Sequence, residues 1–444
     1  MPYPHPAAAP LDPGVAVRAA AFAALLEVER GLGSQAALQP AVARLQGADR
    51  GLCTELVYGA LRRQRPIDRW IARSCDRGLV GVEVPALVAL RLGAYQLAEL
   101  PRIPAFAAVD ATVEAFKRTG KPHRGAVGFV HAVLRKLAGR AEHGDKPDGD
   151  DLPVWMQERC ADLAADLGLD TADLCRAMSE QAPNHGQVLA PAHAVAAVAE
   201  RLRTDGVWLN DLAVPGAFVA DGARATQHPD LGRTFLLQDA GSAAVVRWLD
   251  PQPGWQVLDL CAGRGVKSAL LAALGAEVTA VDLAADKIAA ARRLVAATGG
   301  KLVHAVAADA TGNLALPGGL YDAVLVDAPC TGLGTLRRRP EIRHRRRAAD
   351  LWALTAIADA LADNAVRWVR PGGLVVLATC SLCREEGPLW ADRVLARHSG
   401  LRRAQSGPVW AAPLCDARGD LRTHPLVGGM DAFFATRLVA PAQT

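Results

Sequence analysis

"WQVLDLCAGRGVKSALL" (255–271) is a short apolar run closing on Asp259, then a turn holding Gly263 and Gly265, then apolar residues at helical spacing. A strand that feeds a helix through a glycine turn is the opening unit of a doubly wound α/β domain, where ligands bind beyond the strand carboxyl ends. The same rhythm repeats downstream. "EVTAVDL", "KLVHAVAAD", "YDAVLVDAP" and "GGLVVLATC" are short, rich in β-branched residues and nearly unbroken, as expected of strands buried on both faces of a parallel sheet. Helical patterns such as "DKIAAARRLVAATGG" lie between them.

Three kinds of ligand use such a turn. A phosphate loop needs glycine directly before Lys-Ser, and here Val266 precedes Lys267. A dinucleotide fingerprint wants a small residue at its third position, where Ser268 is a near miss. S-adenosylmethionine needs the turn plus acidic groups for ribose hydroxyls and an ammonium. Asp259, Asp282, Asp309 and Asp327 close four successive strand-like runs, which puts four carboxylates on one edge of the sheet. One such Asp is commonly a cap or turn residue; four in register point to a site.

Upstream the pattern changes. Residues 1–14 are rich in Pro and Ala and read as disordered. From 15 to 139 apolar residues recur at three- and four-residue spacing, predicting six or seven helices. The polar stretch 140–151 reads as an exposed linker, 152–235 as a small α+β module, and 236–440 as the α/β domain. A chain of 444 residues is long enough for several cores, and 51% hydrophobic with 22% charged residues is ordinary globular composition. No apolar run has the length of a membrane span and the start lacks the features of a secretory signal, so the cytoplasm is the expected location; a monomer without membrane partners is expected.

Nine scattered cysteines argue against a disulfide framework. Cys380 and Cys383 form a single C-x-x-C without the second pair a structural zinc site uses, so no metal is expected. Cys330 and Cys380 stand out because each follows a strand at the inferred ligand edge. Carbon 5 of a pyrimidine is too weak a nucleophile to take a methyl group unaided, and thiolate addition at carbon 6 activates it. A carboxyl beside the ring nitrogen, such as Asp327, assists that addition. Spacing alone leaves open which thiol attacks.

"DAPCTGLGTLRRRPEIR" (327–343), "ATCSLCREEG" (378–387) and "THPLVGGMDAFFATRL" (423–438) resemble the RNA (cytosine-5) methyltransferases of the NOL1/NOP2/Sun family. "RLGAYQLAELPRIPAFAAVDATVEAFKR" and "GFVHAVLRKLAG" resemble the NusB-like helical extension that bacterial ribosomal small-subunit members carry. The resemblance implies an all-α NusB-like domain, a small α+β module and a class I, Rossmann-like methyltransferase domain, acting on a cytosine of 16S ribosomal RNA. It implies Cys380 as nucleophile, Cys330 as the thiol that releases product, and Asp327 at the cytosine ring. Cys261, Ala262, Gly263, Arg264, Gly265, Val266, Lys267, Asp282, Asp309 and Asp327 would line the S-adenosylmethionine pocket. The turn departs from the family pattern, with Arg264 where proline is common and Ser268 where threonine is.

Net charge is only +4, but "RRRPEIRHRRR" (337–347) holds seven arginines against one glutamate. Arg337, Arg338, Arg339 and Arg343 are therefore expected at the mouth of the pocket, neutralising RNA phosphates. Arg62, Arg63, Arg65 and Arg69 form a second candidate patch in the helical domain. A non-catalytic RNA-binding assembly factor, or a cytosine-5 enzyme for another RNA (tRNA or 23S rRNA), are the alternatives.

Overall fold

The computed structural model describes residues 12–442 except 120, 121, 123, 150, 318 and 406, so most of the stretch expected to be disordered lies outside the described residues. Its last residues are ordered into a helix start. Asp12 accepts a hydrogen bond from the Gly14 N–H (2.9 Å) and Pro13 occupies the first helical turn, where its missing N–H costs nothing. The chain forms two compact units: residues up to Pro153 together with Arg339–Arg345, and Val154–Arg338 together with Arg346 onward.

The first unit is all-helical. Its helices run Pro13–Glu29, Ser34–Val42, Gly47–Arg62, Gln64–Ala72, Val84–Glu99, Ala105–Thr119 and Arg124–Glu142. Their apolar stripes meet around Phe22, Leu56, Trp70, Leu90, Phe116 and Leu134, all buried. The 140–151 stretch is tied down by arginines rather than left free. Arg63 Nη1 pairs with Asp151 (3.0 Å), Arg69 Nη2 donates to the Asp148 carbonyl (2.6 Å), and Arg73 pairs with Asp148 (3.3 Å). Two of the four arginines expected to face RNA in this unit thus hold its own C-terminal segment.

The inserted segment Arg339–Arg345 explains part of the arginine run. The last carbonyls of a helix have no intrahelical partner, and cations near them also meet the negative end of the helix dipole. Arg343, 2% exposed, donates to the Arg62 carbonyl (3.0 Å), and His344 donates to the Leu61 carbonyl (2.8 Å), both at the end of helix Gly47–Arg62. Burial lowers the His344 pKa to about 4, so it caps as a neutral ring. Arg345 reaches the carbonyls of Val28, Gly31 and Leu32 at the end of the first helix.

The second unit begins with helices Val154–Leu167 and Thr171–Ser179, then a four-stranded antiparallel sheet. Strands β1 (His185–Val188), β2 (Trp208–Asp211), β3 (Ala217–Ala220) and β4 (Phe235–Leu237) lie in the order β2-β3-β1-β4. β4 straddles the boundary expected at 235/236, because Leu237 pairs with Gly186 of β1. An eight-stranded sheet follows, with β5 (Gln256–Asp259), β6 (Glu277–Asp282), β7 (Leu302–Ala307), β8 (Tyr321–Asp327), β9 (Val369–Thr379), β10 (Arg402–Arg403), β11 (Leu421–Arg422) and β12 (Phe434–Val439). Its order is β10-β12-β9-β8-β5-β6-β7, with β11 paired to β12.

The five strands β7-β6-β5-β8-β9 are parallel, and β12 closes the sheet antiparallel to β9. The chain winds outward from β5 through β6 and β7, then returns to place β8 on the other side of β5. This reversal is the switch point where open α/β sheets bind ligands. Asp259 and Asp327 end the two strands that flank it.

Candidate active site

The glycine turn after β5 is built for a close approach. Gly265 has φ +83°, and a Cβ there would lie 2.6 Å from the Ala291 side chain, so only glycine lets helix Val266–Ala273 start at this angle. The Gly263 N–H donates to Asp282 Oδ2 (2.9 Å), which joins the turn to the end of β6. Ala284 N–H donates to the other oxygen of Asp282 (2.9 Å), with Lys287 3.4 Å away. Ala262 is buried and bonds Val281, whereas Arg264 faces solvent. Ser268, a departure from the family pattern, is put to use: its hydroxyl donates to Asp259 Oδ2 (2.7 Å).

Asp259 is buried, which pushes its pKa up to about 6, and its Oδ1 has no hydrogen-bond partner among the described residues. Cys261, half-buried beside it, is pushed well above the ordinary thiol value by burial and then by Asp259, Asp327 and Asp282. That thiol is a poor nucleophile. Lys267 Nζ lies 2.6 Å from Asp327 Oδ2 and 5.3 Å from the Phe433 ring centre. Burial opposes the ammonium, but Asp327 outweighs it and holds Lys267 above its ordinary value.

Asp309 stands apart from the other three acids. It lies two residues beyond β7, is exposed, and caps its own loop by accepting from the Thr311 N–H (2.8 Å) and hydroxyl (2.6 Å), which lower its pKa.

The two thiols meet. Cys330, three residues past the end of β8, and Cys380, one past the end of β9, have sulfurs 3.5 Å apart, although 50 residues separate them in sequence. Register brings this about: Asp327 pairs with Ala378, so the two loops leave adjacent strands side by side. The Gly334 N–H then donates to the Cys380 carbonyl (2.9 Å). A Cβ at Gly334 would fall 1.9 Å from the Ala432 carbonyl oxygen, so glycine is required for this contact. Cys330 is buried, while Cys380 is partly exposed. The contact with Cys380, then burial, raise the Cys330 pKa well above its ordinary value. Cys383 of the C-x-x-C is buried and pushed up to about 12 by that burial, which leaves it an inert thiol.

Arg337 and Arg338 do not present their charges to solvent as a phosphate-binding row would. Arg337, 6% exposed, donates to the carbonyls of Gly429 and Gln181 (3.0 Å each). Arg338 bridges Asp239 (2.8 Å) and Asp431 (3.0 Å). His185 lies 3.1 Å from Asp239, which also caps helix Ala240–Leu249 through the Gly241 N–H (2.8 Å). Burial and the neighbouring Asp239 raise Asp431, while His185 and Arg338 overcome burial to lower Asp239, so the carboxyl pair favours one negative charge over two. With Arg343 spent on a helix end, Arg339, its side chain 54% exposed, is the one of the four expected phosphate ligands that faces solvent.

Composition and spacing missed the pair Asp239–Asp431 and a third carboxylate, Glu386. It lies in "REEG" after Cys383 and accepts from the Thr331 N–H (2.7 Å) and hydroxyl (2.6 Å) and from the Ser381 hydroxyl. The sequence signal was thin: Glu385 and Glu386 are adjacent, and only the fold shows that Glu386 is the buried one.

The chain is similar to known proteins over most of its length. Residues 246–439 match the family model "16S rRNA methyltransferase RsmB/F", and residues 15–139 match the NusB family. A ribosomal RNA small subunit methyltransferase B of Thermus thermophilus is 35% identical over 95% of this chain and 97% of its own length. A putative methyltransferase of Mycobacterium tuberculosis is 34% identical over 97% of both chains. The crystal structure of PH0851 shares the fold with a TM-score of 0.80 at 22% identity, covering 97% of this chain and 99% of that one. With its helical NusB domain, its mixed sheet of parallel strands closed by an antiparallel one, and these full-length relatives, the chain belongs to the RsmB/F family of 16S rRNA methyltransferases.

Proposed function

We propose that this protein transfers a methyl group from S-adenosylmethionine to carbon 5 of a cytosine in 16S ribosomal RNA, through a transient bond between Cys380 and carbon 6. The observation that carries this reading is the pair of sulfurs 3.5 Å apart at the ends of adjacent parallel strands, one of which ends in Asp327. Methyl transfer to nitrogen or oxygen would need neither thiol.

The cofactor pocket fits the residues present. The unpartnered buried oxygen of Asp259 suits a cationic ligand group, the Asp282 carboxylate suits ribose hydroxyls, and Leu283, an exposed apolar side chain beside it, suits one face of a purine. Bound there, the cofactor supplies an electrophilic methyl group on a sulfonium sulfur. The protein supplies the rest. An electron pair of the Cys380 thiolate forms the S–C6 bond, and the C5=C6 pair becomes available at carbon 5. As addition at carbon 6 builds negative charge on the ring nitrogen N3, N3 takes a proton from solvent, and Asp327, one oxygen held by Lys267, accepts a hydrogen bond from that N–H and so favours the adduct. After methylation the carbon 5 proton passes to solvent water, its bonding pair restores C5=C6, and Cys380 departs as thiolate with the S–C6 pair. Cys330, in contact with Cys380, serves that release.

The test is methyl incorporation into deproteinised small-subunit RNA, with protein–RNA adducts read on a denaturing gel. Cys380→Ala is expected to give neither product nor adduct, and Cys330→Ala to accumulate adduct. An adduct that needs Cys330 and survives loss of Cys380 would reverse the two roles.

A further inference from the structure

The two cysteine loops are held by a group that the chemistry above does not use. Glu386 is 1% exposed and carries hydrogen bonds from both loops. Its Oε1 accepts from the Thr331 N–H, directly after Cys330, and its Oε2 accepts from the Thr331 hydroxyl and from the hydroxyl of Ser381, directly after Cys380. The two hydroxyls are themselves 3.2 Å apart, and Ser381 Oγ also accepts from the Cys383 N–H (3.0 Å). The Glu386 carbonyl accepts from Thr379 at the end of β9 (2.9 Å), which anchors the carboxylate to the sheet. Arg346 Nε donates to the Thr331 carbonyl (3.2 Å), closing the far side of the Cys330 loop.

Burying a carboxylate is costly unless several donors meet it, and here burial does push the Glu386 pKa up against the hydrogen bonds from Ser381 and Thr331. A core position of this kind would be filled more favourably by an apolar side chain. Its arrangement instead makes sense as a clamp, because the three donors come from two loops that, among the described residues, share no other side-chain carboxylate.

We propose that Glu386 is a positioning residue that pins the residue after Cys330 to the residue after Cys380 and so keeps the two sulfurs in contact. Its consequence for turnover rests on the cytosine-5 reading; its consequence for the thiol pair does not. Without the clamp the two loops keep the bond from Gly334 to the Cys380 carbonyl and the 3.2 Å contact between the Thr331 and Ser381 hydroxyls, but lose the carboxylate that ties both hydroxyls and the Thr331 N–H to one group. A loss of about 1 Å in sulfur placement is of the size that slows a positioned reaction up to about a hundredfold.

The test uses the full chain without cofactor or RNA. Diamide removes two electrons and two protons from a thiol pair, and the Cys330–Cys380 linked peptide is quantified by mass after trapping the remaining thiols. Glu386→Ala is expected to slow that linkage about tenfold or more, with the fold retained by circular dichroism. Glu386→Gln is expected to stay within about threefold of the parent, because the amide oxygen still accepts from Thr331 N–H and the amide N–H₂ donates to the hydroxyls. In methyl transfer the Ala variant should lose kcat while KM for S-adenosylmethionine is unchanged. Linkage at the parental rate in Glu386→Ala overturns the proposal. If that variant fails to fold, the double change Thr331→Val with Ser381→Ala decides, since it removes both hydroxyl arms: slowed linkage supports the clamp and unchanged linkage overturns it. Slowed linkage in variants of a protein that methylates no cytosine would sink the function and leave the clamp standing.

Discussion

The loops after β8 and β9 and the arginine run 337–347, which continues the first of those loops, obey different rules. In the first, the positions of Asp327, Cys330 and Cys380 follow from strand register: once Asp327 pairs with Ala378, the thiols leave adjacent strands and meet. In the second, the feature that stood out was charge, and charge does not say where it is spent. Arg337, Arg338, Arg343 and Arg345 find carbonyls and carboxylates supplied by chain 90 to 320 residues away, at Gly429, Asp431, Arg62 and Val28 among others. A short basic run is read by its composition as a surface for phosphate, yet a guanidinium with five donors is equally fitted to satisfy orphan carbonyls inside a fold.

The comparison breaks first at Cys380. Cys380→Ala should lower methyl transfer by about a thousandfold or more, as loss of a covalent nucleophile does, and the measured incorporation rate checks it. A smaller loss would mean that register brought the thiols together without making one of them the nucleophile.

Next comes Arg338. Removing one partner from a buried charge network leaves Asp431 uncompensated and Asp239 with His185 alone, so Arg338→Ala should destabilise the protein by about 3 kcal/mol in denaturant unfolding. The salt dependence of RNA binding should be unchanged. A reduced salt slope with unaltered stability would return Arg338 to the phosphate-binding row.

Asp259 sharpens the electrostatics of the strand ends. Burial raises its pKa to about 6, so folding favours the neutral form relative to the unfolded chain. Its contribution is therefore fully present below the unfolded carboxylate value and lost as pH rises through about 6. Asp259→Asn removes that loss, and relative to the parent the variant should gain about 2 kcal/mol between pH 4 and pH 8. Unfolding curves at the two pH values measure it.

The smallest effect is expected at Arg339, whose side chain is exposed and 3.7 Å from Glu341. Arg339→Ala should change stability by no more than about 0.5 kcal/mol. If this arginine contacts a phosphate, the salt slope of RNA binding falls by about one.

Much of the architecture was legible along the chain. Apolar runs ending in Asp259, Asp282 and Asp327 are strands in the structure, and the three- and four-residue spacing of 15–139 is a seven-helix unit among the described residues. Periodicity is a local property, so it survives into the fold. The site was legible to the extent that strand ends carry it: the turn 261–267, the three aspartates and the two thiols share one edge. Asp309 was expected with them because it follows a strand; it is exposed and one of its oxygens, Oδ1, caps its own loop at Thr311. The small module was harder to delimit, since β4 belongs by pairing to its sheet although it precedes the α/β rhythm by only a few residues.

By itself, then, the order of residues determined the elements, their sequence and the chemical groups placed at strand ends, because backbone periodicity and glycine conformations are set by near neighbours. Only the tertiary structure decided which arginines are spent inside the protein, which of two adjacent glutamates is buried, and that two sulfurs 50 residues apart lie in contact. Those outcomes depend on which distant carbonyl, hydroxyl or carboxylate arrives to satisfy a buried polar group, and long-range pairing of that kind leaves no period in the sequence.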